Sequence, residues 1–199
     1  RKSQQNINAK FKLWKQYSRK EIAFGLEVDP VILTTGVVST GNFVLLFVTL
    51  EKEDLAEEFQ YKDKFLSPSI FQWQSQNRTR QETPTGQSLR NPKKYGKTIL
   101  LFIRPKKKEW GATMPFYYCG VPNFVSWEGE KPITVQWELT DAVPKNLRKR
   151  LNVPDEKNSN TSIVITDKEE KRKEEEERRE EEEKQRKEEE EEEKQRKEE

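Results

Sequence analysis

The spacing of apolar positions changes along the chain, and each change predicts a different element. Over residues 7–26, INAKFKLWKQYSRKEIAFGL, the residues Phe11, Trp14, Ile22 or Ala23, and Leu26 recur every three to four positions, which predicts an amphipathic helix. Ser18, with Glu21 three residues on, predicts a break before Ser18 and a capped restart there. The other face carries Lys10, Lys12, Lys15, Arg19 and Lys20, a set that suits either a solvated helix side or a stripe facing phosphates.

From Gly36 the period shortens. GVVSTGNFVLLFVTL places an STGN turn between two β-branched runs, and Phe43–Leu50 is too apolar for an exposed edge, so a buried central strand is predicted. EKEDLAEEFQYKDKF is charged and reads as one helical turn or a loop. SPSIFQWQSQNRTRQETPTGQSLRNPKKYGK then holds few apolar residues; Phe71 and Trp73 share one side of an alternation at its start, predicting a short strand that runs into a long loop. Short strands return at 98–104, 115–120, 123–129 and 133–139, separated by glycines and prolines at the spacing of an antiparallel meander or small barrel. In the last of these Ile133, Val135, Trp137 and Leu139 alternate with polar residues, giving one core face and one wet face.

After Leu151 the pattern dissolves. Residues 153–166 are linker-like, with SIVIT a candidate edge strand, and residues 167–199 contain no apolar residue at all, which excludes an ordinary coiled coil. Glu-to-Arg/Lys pairs four residues apart, such as Glu174 with Arg178 and Glu180 with Lys184, each contribute about 0.2–0.5 kcal/mol to an isolated helix. A charged single helix or a disordered tail is expected there. The expected class is therefore α+β and mainly β: an N-terminal amphipathic helix, a small antiparallel β-sheet or barrel over residues 1–152, the linker, and the charged tail.

Charge sharpens this division. Residues 1–152 hold 25 Lys/Arg against 15 Asp/Glu, whereas residues 167–199 hold 12 against 19. The acidic tail is thus a partial electrostatic match for the basic body. The chain contains no histidine and a single cysteine, Cys119, which removes imidazole-based nucleophile systems, histidine-ligated metals, intrachain disulfides and thiolate zinc clusters. No cofactor is expected. The cysteine usage suits a reducing, cytoplasmic setting, and no apolar run reaches the ~20 residues of a membrane helix, so no membrane partner is expected. The chain opens on Arg1 without a signal-peptide pattern and stops inside a Glu/Lys run, which reads as a piece of something longer.

Candidate chemistry is sparse. Asp54, Glu57, Glu58 and Asp63 are the nearest approach to a nuclease-type carboxylate set, but a second acidic strand with Glu-x-Lys spacing is lacking, and a solvated acidic loop is the simpler reading. There is no phosphate loop or Gly-rich dinucleotide turn. Nucleic-acid binding draws more support, from the cations around the polar loop: Arg78, Arg80, Arg90, Lys93, Lys94, Lys97, Arg104 and Lys106–Lys108. Trp73, Tyr95 and Trp110 are interleaved with them, and Gln72, Gln74, Gln76 and Asn77 carry amides suited to base edges. The assignment is Trp73 for stacking or for anchoring the loop, Gln74, Ser75 and Gln76 for hydrogen bonding, and Arg78, Arg80, Lys93 and Arg104 for phosphates.

YSRKEI at 17–22, LLFVTLEKE at 45–53, YKDKFLSPSIFQWQSQNRTRQETPTGQ at 61–87, TILLFIR at 98–104, FYYCG at 116–120 and KPITVQWEL at 131–139 occur together and in order. Over most of residues 10–143 this resembles an uncharacterised bacterial domain family found at the C-terminal end of superfamily 2 DEAD/DEAH-type helicases, often with a phospholipase-D-like nuclease domain at the other end. The resemblance implies a non-catalytic, DNA-engaging accessory module of restriction or phage-defence enzymes, with DNA and a helicase or nuclease domain as partners. Docking on such a partner protein is the alternative it leaves open.

Overall fold

The computed structural model describes residues 7, 9–51 and 63–154. The SIVIT segment, the charged tail and most of the acidic stretch after Glu51 lie outside the described residues, as does part of the predicted first helical turn. Among the described residues no helix is long and apolar enough to cross a membrane.

Two open sheets carry the fold. The first contains β1 (Gln16–Tyr17), β2 (Val37–Thr40), β3 (Phe43–Thr49), β6 (Thr98–Arg104) and β9 (Phe116–Tyr118) in the order β1-β9-β6-β3-β2. The second contains β4 (Lys64–Phe65), β5 (Ile70–Gln74), β10 (Asn123–Glu128) and β11 (Thr134–Glu138) in the order β10-β11-β5-β4. A separate two-stranded hairpin joins β7 (Lys108–Glu109) to β8 (Ala112–Thr113). The expected barrel is therefore replaced by open sheets, and the expected antiparallel order by a mixed one, because β3 and β6 pair in parallel from Phe43↔Thr98 to Thr49↔Arg104.

The continuous apolar runs of β3 and β6 follow from burial on both faces. Val44, Leu46, Val48, Ile99, Leu101 and Ile103 point toward the second sheet, where they share one core with Phe65, Phe71, Trp73, Val135 and Trp137. Leu45, Phe47, Leu100 and Phe102 point the other way and share a second core with Phe11 and with α1 (Arg19–Leu26) through Ile22, Ala23 and Leu26. The second sheet has one dry face only, and β5 and β11 alternate accordingly, with Trp73 opposite Val135 and Phe71 opposite Trp137.

The N-terminal segment departs from the helix predicted across residues 7–26. Ser18 caps α1 through the complete capping box with Glu21, as its spacing predicts, but the chain before it turns at Trp14 and enters β1. Pairing decides this: the Trp14 N–H donates to the Tyr118 carbonyl at 2.8 Å, and the Tyr118 N–H donates to the Lys15 carbonyl at 3.0 Å. Tertiary pairing along β9 outweighs the local helical period.

The polar stretch after β5 is also more ordered than a loop. It contains α2 (Pro84–Arg90), capped by the Thr83 hydroxyl with Pro84 in the first turn, then a 3₁₀ turn at Pro92–Tyr95. Leu89 plugs α2 into the inter-sheet core. Gly86 is required where α2 crosses the preceding chain, since a Cβ there would overlap the Arg80 carbonyl and sit 2.8 Å from the Gln81 oxygen. A last short helix, α3 (Lys145–Arg148), brings Leu147, Leu151 and Val153 onto the same core.

Candidate functional site

The end of β5 was the expected centre of the site, and the structure assigns its residues unequally. Trp73 is 4% exposed and packs between the sheets, so of its two assigned roles, anchoring matches its position and stacking on a base does not. Ser75 is equally committed: its hydroxyl accepts from the Ile133 N–H at 2.9 Å and donates to the Gln76 carbonyl at 3.1 Å. Gln74 is half-buried, its amide donating to the Thr134 hydroxyl at 3.1 Å while its main-chain N–H donates to the Asp63 carboxylate at 2.8 Å. Gln76, with its neighbours Asn77 and Arg78, is exposed.

Arg104, assigned to phosphates, is 8% exposed. Its guanidinium lies 4.3 Å from the Phe116 ring centroid and donates to the Thr49 hydroxyl at 2.9 Å and the Met114 carbonyl at 3.1 Å. Arg19 reaches the same ring from 5.3 Å, lies 4.2 Å from the Phe47 ring, and donates to the carbonyls of Leu33 and Thr35. Burial lowers the pKa of both, and for Arg19 the charge of Arg104 adds to it. Both guanidinium groups stay charged at neutral pH. Arg104 is therefore a structural clamp at the end of β6.

Beside β5, a cavity of about 290 Å³ is lined by Arg19, Phe47, Thr49, Asp63, Trp73, Gln74 and Gln76, among others. Of the assigned residues it gathers Trp73, Gln74 and Gln76. Lys93 belongs elsewhere, in a larger groove of about 910 Å³ built where α2 and the 3₁₀ turn meet the β2–β3 turn and the start of β10. Arg90, Lys93, Lys94 and Lys97 line that groove together with the amides of Asn42, Asn91 and Asn123, and no carboxylate lines it among the described residues. Arg78 and Arg80 line neither space; Arg80 lies 3.6 Å from the Glu82 carboxylate.

The groove is rigidly framed. Lys97 donates to the Gly41 carbonyl at 2.6 Å, Arg90 lies over the Trp127 ring at 5.4 Å, and Gln87 donates to the Gln81 carbonyl at 2.9 Å. Gln81 in turn donates to the Gly129 carbonyl and, through its main chain, to the Glu130 carboxylate, both at 3.0 Å. Asn42, Asn91 and Asn123 are the residues the sequence reading missed. Asn42 sits in the STGN turn and Asn91 before a proline, so turn chemistry explains each of them locally and hides the shared face. The described residues hold no group of three potential metal-ligating side chains, and Asp54, Glu57 and Glu58 lie outside them.

The described residues thus form a mainly-β domain of two open sheets with a cation-lined groove beside them. The chain belongs to the family described as a domain of unknown function, DUF3427, whose model matches residues 11–151. No curated protein matches it. Among solved structures it is similar, at 15% identity and a TM-score of 0.35, to the DNA recognition domain of the cytosine modification-dependent restriction endonuclease LpnPI. The match covers 60% of this chain and 65% of that one, so the chain spans less than two thirds of that domain's length.

Proposed function

We propose that this domain is a non-catalytic nucleic-acid-binding module, with DNA as its polymer, working in the cytoplasm beside a helicase or nuclease domain of a restriction or phage-defence system. One observation carries the reading: among the described residues, four cations and three asparagines line one groove that no carboxylate lines. Cations in such a row neutralise successive phosphates and release counterions, while the amides offer donors and acceptors to sugar or base edges. The exposed Gln76–Arg78 turn and Arg80, which follow β5 and do not line this groove, offer further amide and guanidinium donors, and Trp73 anchors the strand that they follow.

Fluorescence-anisotropy titration of the whole chain against single-stranded, duplex and forked DNA tests this. Four phosphate contacts predict duplex affinity falling about 100-fold between about 50 and 200 mM salt. Binding insensitive to salt, or none to any of the three, would sink the proposal. A second reading, docking on a helicase or nuclease partner, draws on Phe24, which is 87% exposed on α1, and on Val31 nearby in sequence, also exposed. It predicts no measurable DNA binding by the free chain.

A further inference from the structure

The β7–β8 hairpin pairs Lys108 with Thr113 and Glu109 with Ala112, which leaves Trp110 and Gly111 as its two-residue turn. Both turn residues have positive φ, 52° and 81°. Hairpin turns of that kind favour Asn, Asp or Gly at the first position. Trp110 breaks that preference and also leaves its indole 99% exposed, the side chain with the most area to lose to water. A bulky residue held in the left-handed region and packed on nothing breaks two local rules with no structural return, which is the pattern expected of a residue retained for contact with something else.

The mount beneath it is firm. The Met114 N–H donates to the Lys107 carbonyl at 3.0 Å, and Arg104, stacked on Phe116, donates to the Met114 carbonyl at 3.1 Å. Arg150 grips the Glu109 carboxylate at 2.6 Å, with Lys106 3.5 Å from its other oxygen. The hairpin's one carboxylate is thereby neutralised, and Lys107 and Lys108, three and two residues before the tryptophan, stand exposed on the same hairpin. Ala112 and Thr113 are small and Met114 is buried, so the indole has no large exposed apolar companion on the hairpin. Protein and lipid surfaces are met by contiguous apolar patches; a solitary aromatic plane with adjacent cations fits a base and its phosphates.

We infer that Trp110 is a stacking wedge: the hairpin sets its indole against an unpaired base while Lys107 and Lys108 hold the adjoining phosphates. The inference rests on the nucleic-acid reading above and adds to it a residue and a preference for single-stranded or junction sites over intact duplex. The test is titration of the full chain and its Trp110→Ala and Trp110→Tyr variants with fluorescent oligothymidylate and with blunt duplex. Loss of one stacked base predicts oligothymidylate affinity weakened by about 5- to 150-fold in Trp110→Ala, largely recovered in Trp110→Tyr. Duplex affinity and the thermal midpoint should be unchanged, and the quenching of tryptophan emission on binding should shrink. Wild-type binding with an unaffected Trp110→Ala variant overturns the wedge alone. Absence of all binding by the wild type overturns the nucleic-acid reading and the wedge with it, and Trp110-dependent binding to phosphatidylglycerol vesicles in its place would assign the tip to a lipid surface.

Discussion

Ser75 and Ile133 are joined twice: the Ser75 N–H donates to the Ile133 carbonyl, and the Ile133 N–H donates to the Ser75 hydroxyl oxygen, each at 2.9 Å. Ser75 is 1% exposed and Ile133 fully buried, so neither group has recourse to water. The clasp continues the β5–β11 ladder past the end of β5, where the chain turns toward its polar loop. Ser75→Ala strands the Ile133 N–H, and the expected loss is about 1–3 kcal/mol in urea unfolding with an unchanged slope. DNA affinity of the folded variant should equal that of wild type, since Ser75 has no free donor to offer a base.

Trp73→Ala should report on the core rather than on binding. The indole fills space among Phe71, Val135 and the β3–β6 face, and its truncation is expected to cost about 3–5 kcal/mol, enough to unfold a marginal domain. Trp73→Phe keeps most of the volume and should fold and bind as wild type does. Thermal melts run beside DNA titrations separate the two variants; a fully stable Trp73→Ala protein with lost DNA affinity would return Trp73 to the binding surface.

The fate of these two residues shows what a one-dimensional reading can and cannot resolve. The alternation of Phe71 and Trp73 against Gln72 and Gln74 already put the aromatic pair on one face, and that face proved to be core. FVLLFV was legible as a buried strand because a continuous apolar run has no wet side to serve, whereas TILLFIR read only as a short strand until its pairing beside β3 buried both its faces. Their parallel pairing was not, since it joins segments some fifty residues apart and leaves no local trace. α2 was hidden in a polar run because Leu89 is its one large apolar residue, although Thr83-Pro84 is a helix start signal. Arg104 looked like a phosphate ligand because a cation at a strand end reads the same whether it projects outward or folds back onto Phe116 and Met114. The groove was half-visible: its lysines cluster in sequence, but Asn42 and Asn123 reach it only through the fold.

Lys93 and Lys94 project from the 3₁₀ turn into the groove and are exposed, whereas Lys97 is held by the Gly41 carbonyl. The double substitution Lys93→Ala/Lys94→Ala is expected to lower DNA affinity uniformly across sequences. It should reduce the slope of log affinity against log salt by about 2, one contact for each lysine removed. Lys97→Ala should lower the slope less and the thermal midpoint more, because it releases the β2–β3 turn. Titration over a series of salt concentrations, with thermal melts beside it, distinguishes the two variants.

Burial of Tyr118 and Cys119 at the end of β9 predicts an alkaline limit to stability. Desolvation pushes the Cys119 thiol well above its ordinary pKa of 9.0, and raises the Tyr118 phenol above 10.0 with the neighbouring Cys119 and Tyr17 adding to it. The folded state therefore keeps both protons at a pH where the unfolded chain releases them. For groups raised in this sense the contribution to stability is full below the unfolded pKa and is lost as pH climbs from there toward the folded value. Unfolding free energy measured in urea should be flat near neutral pH and fall as pH rises past about 9, the onset set by the thiol. Cys119→Ala should delay that onset toward about 10, where the unfolded tyrosine begins to ionise. In the native protein at mildly alkaline pH, Cys119 should resist iodoacetamide and react only through openings that release β9 from the sheet, so alkylation followed by mass spectrometry, compared with the rate for the unfolded chain, reports the population of that open form.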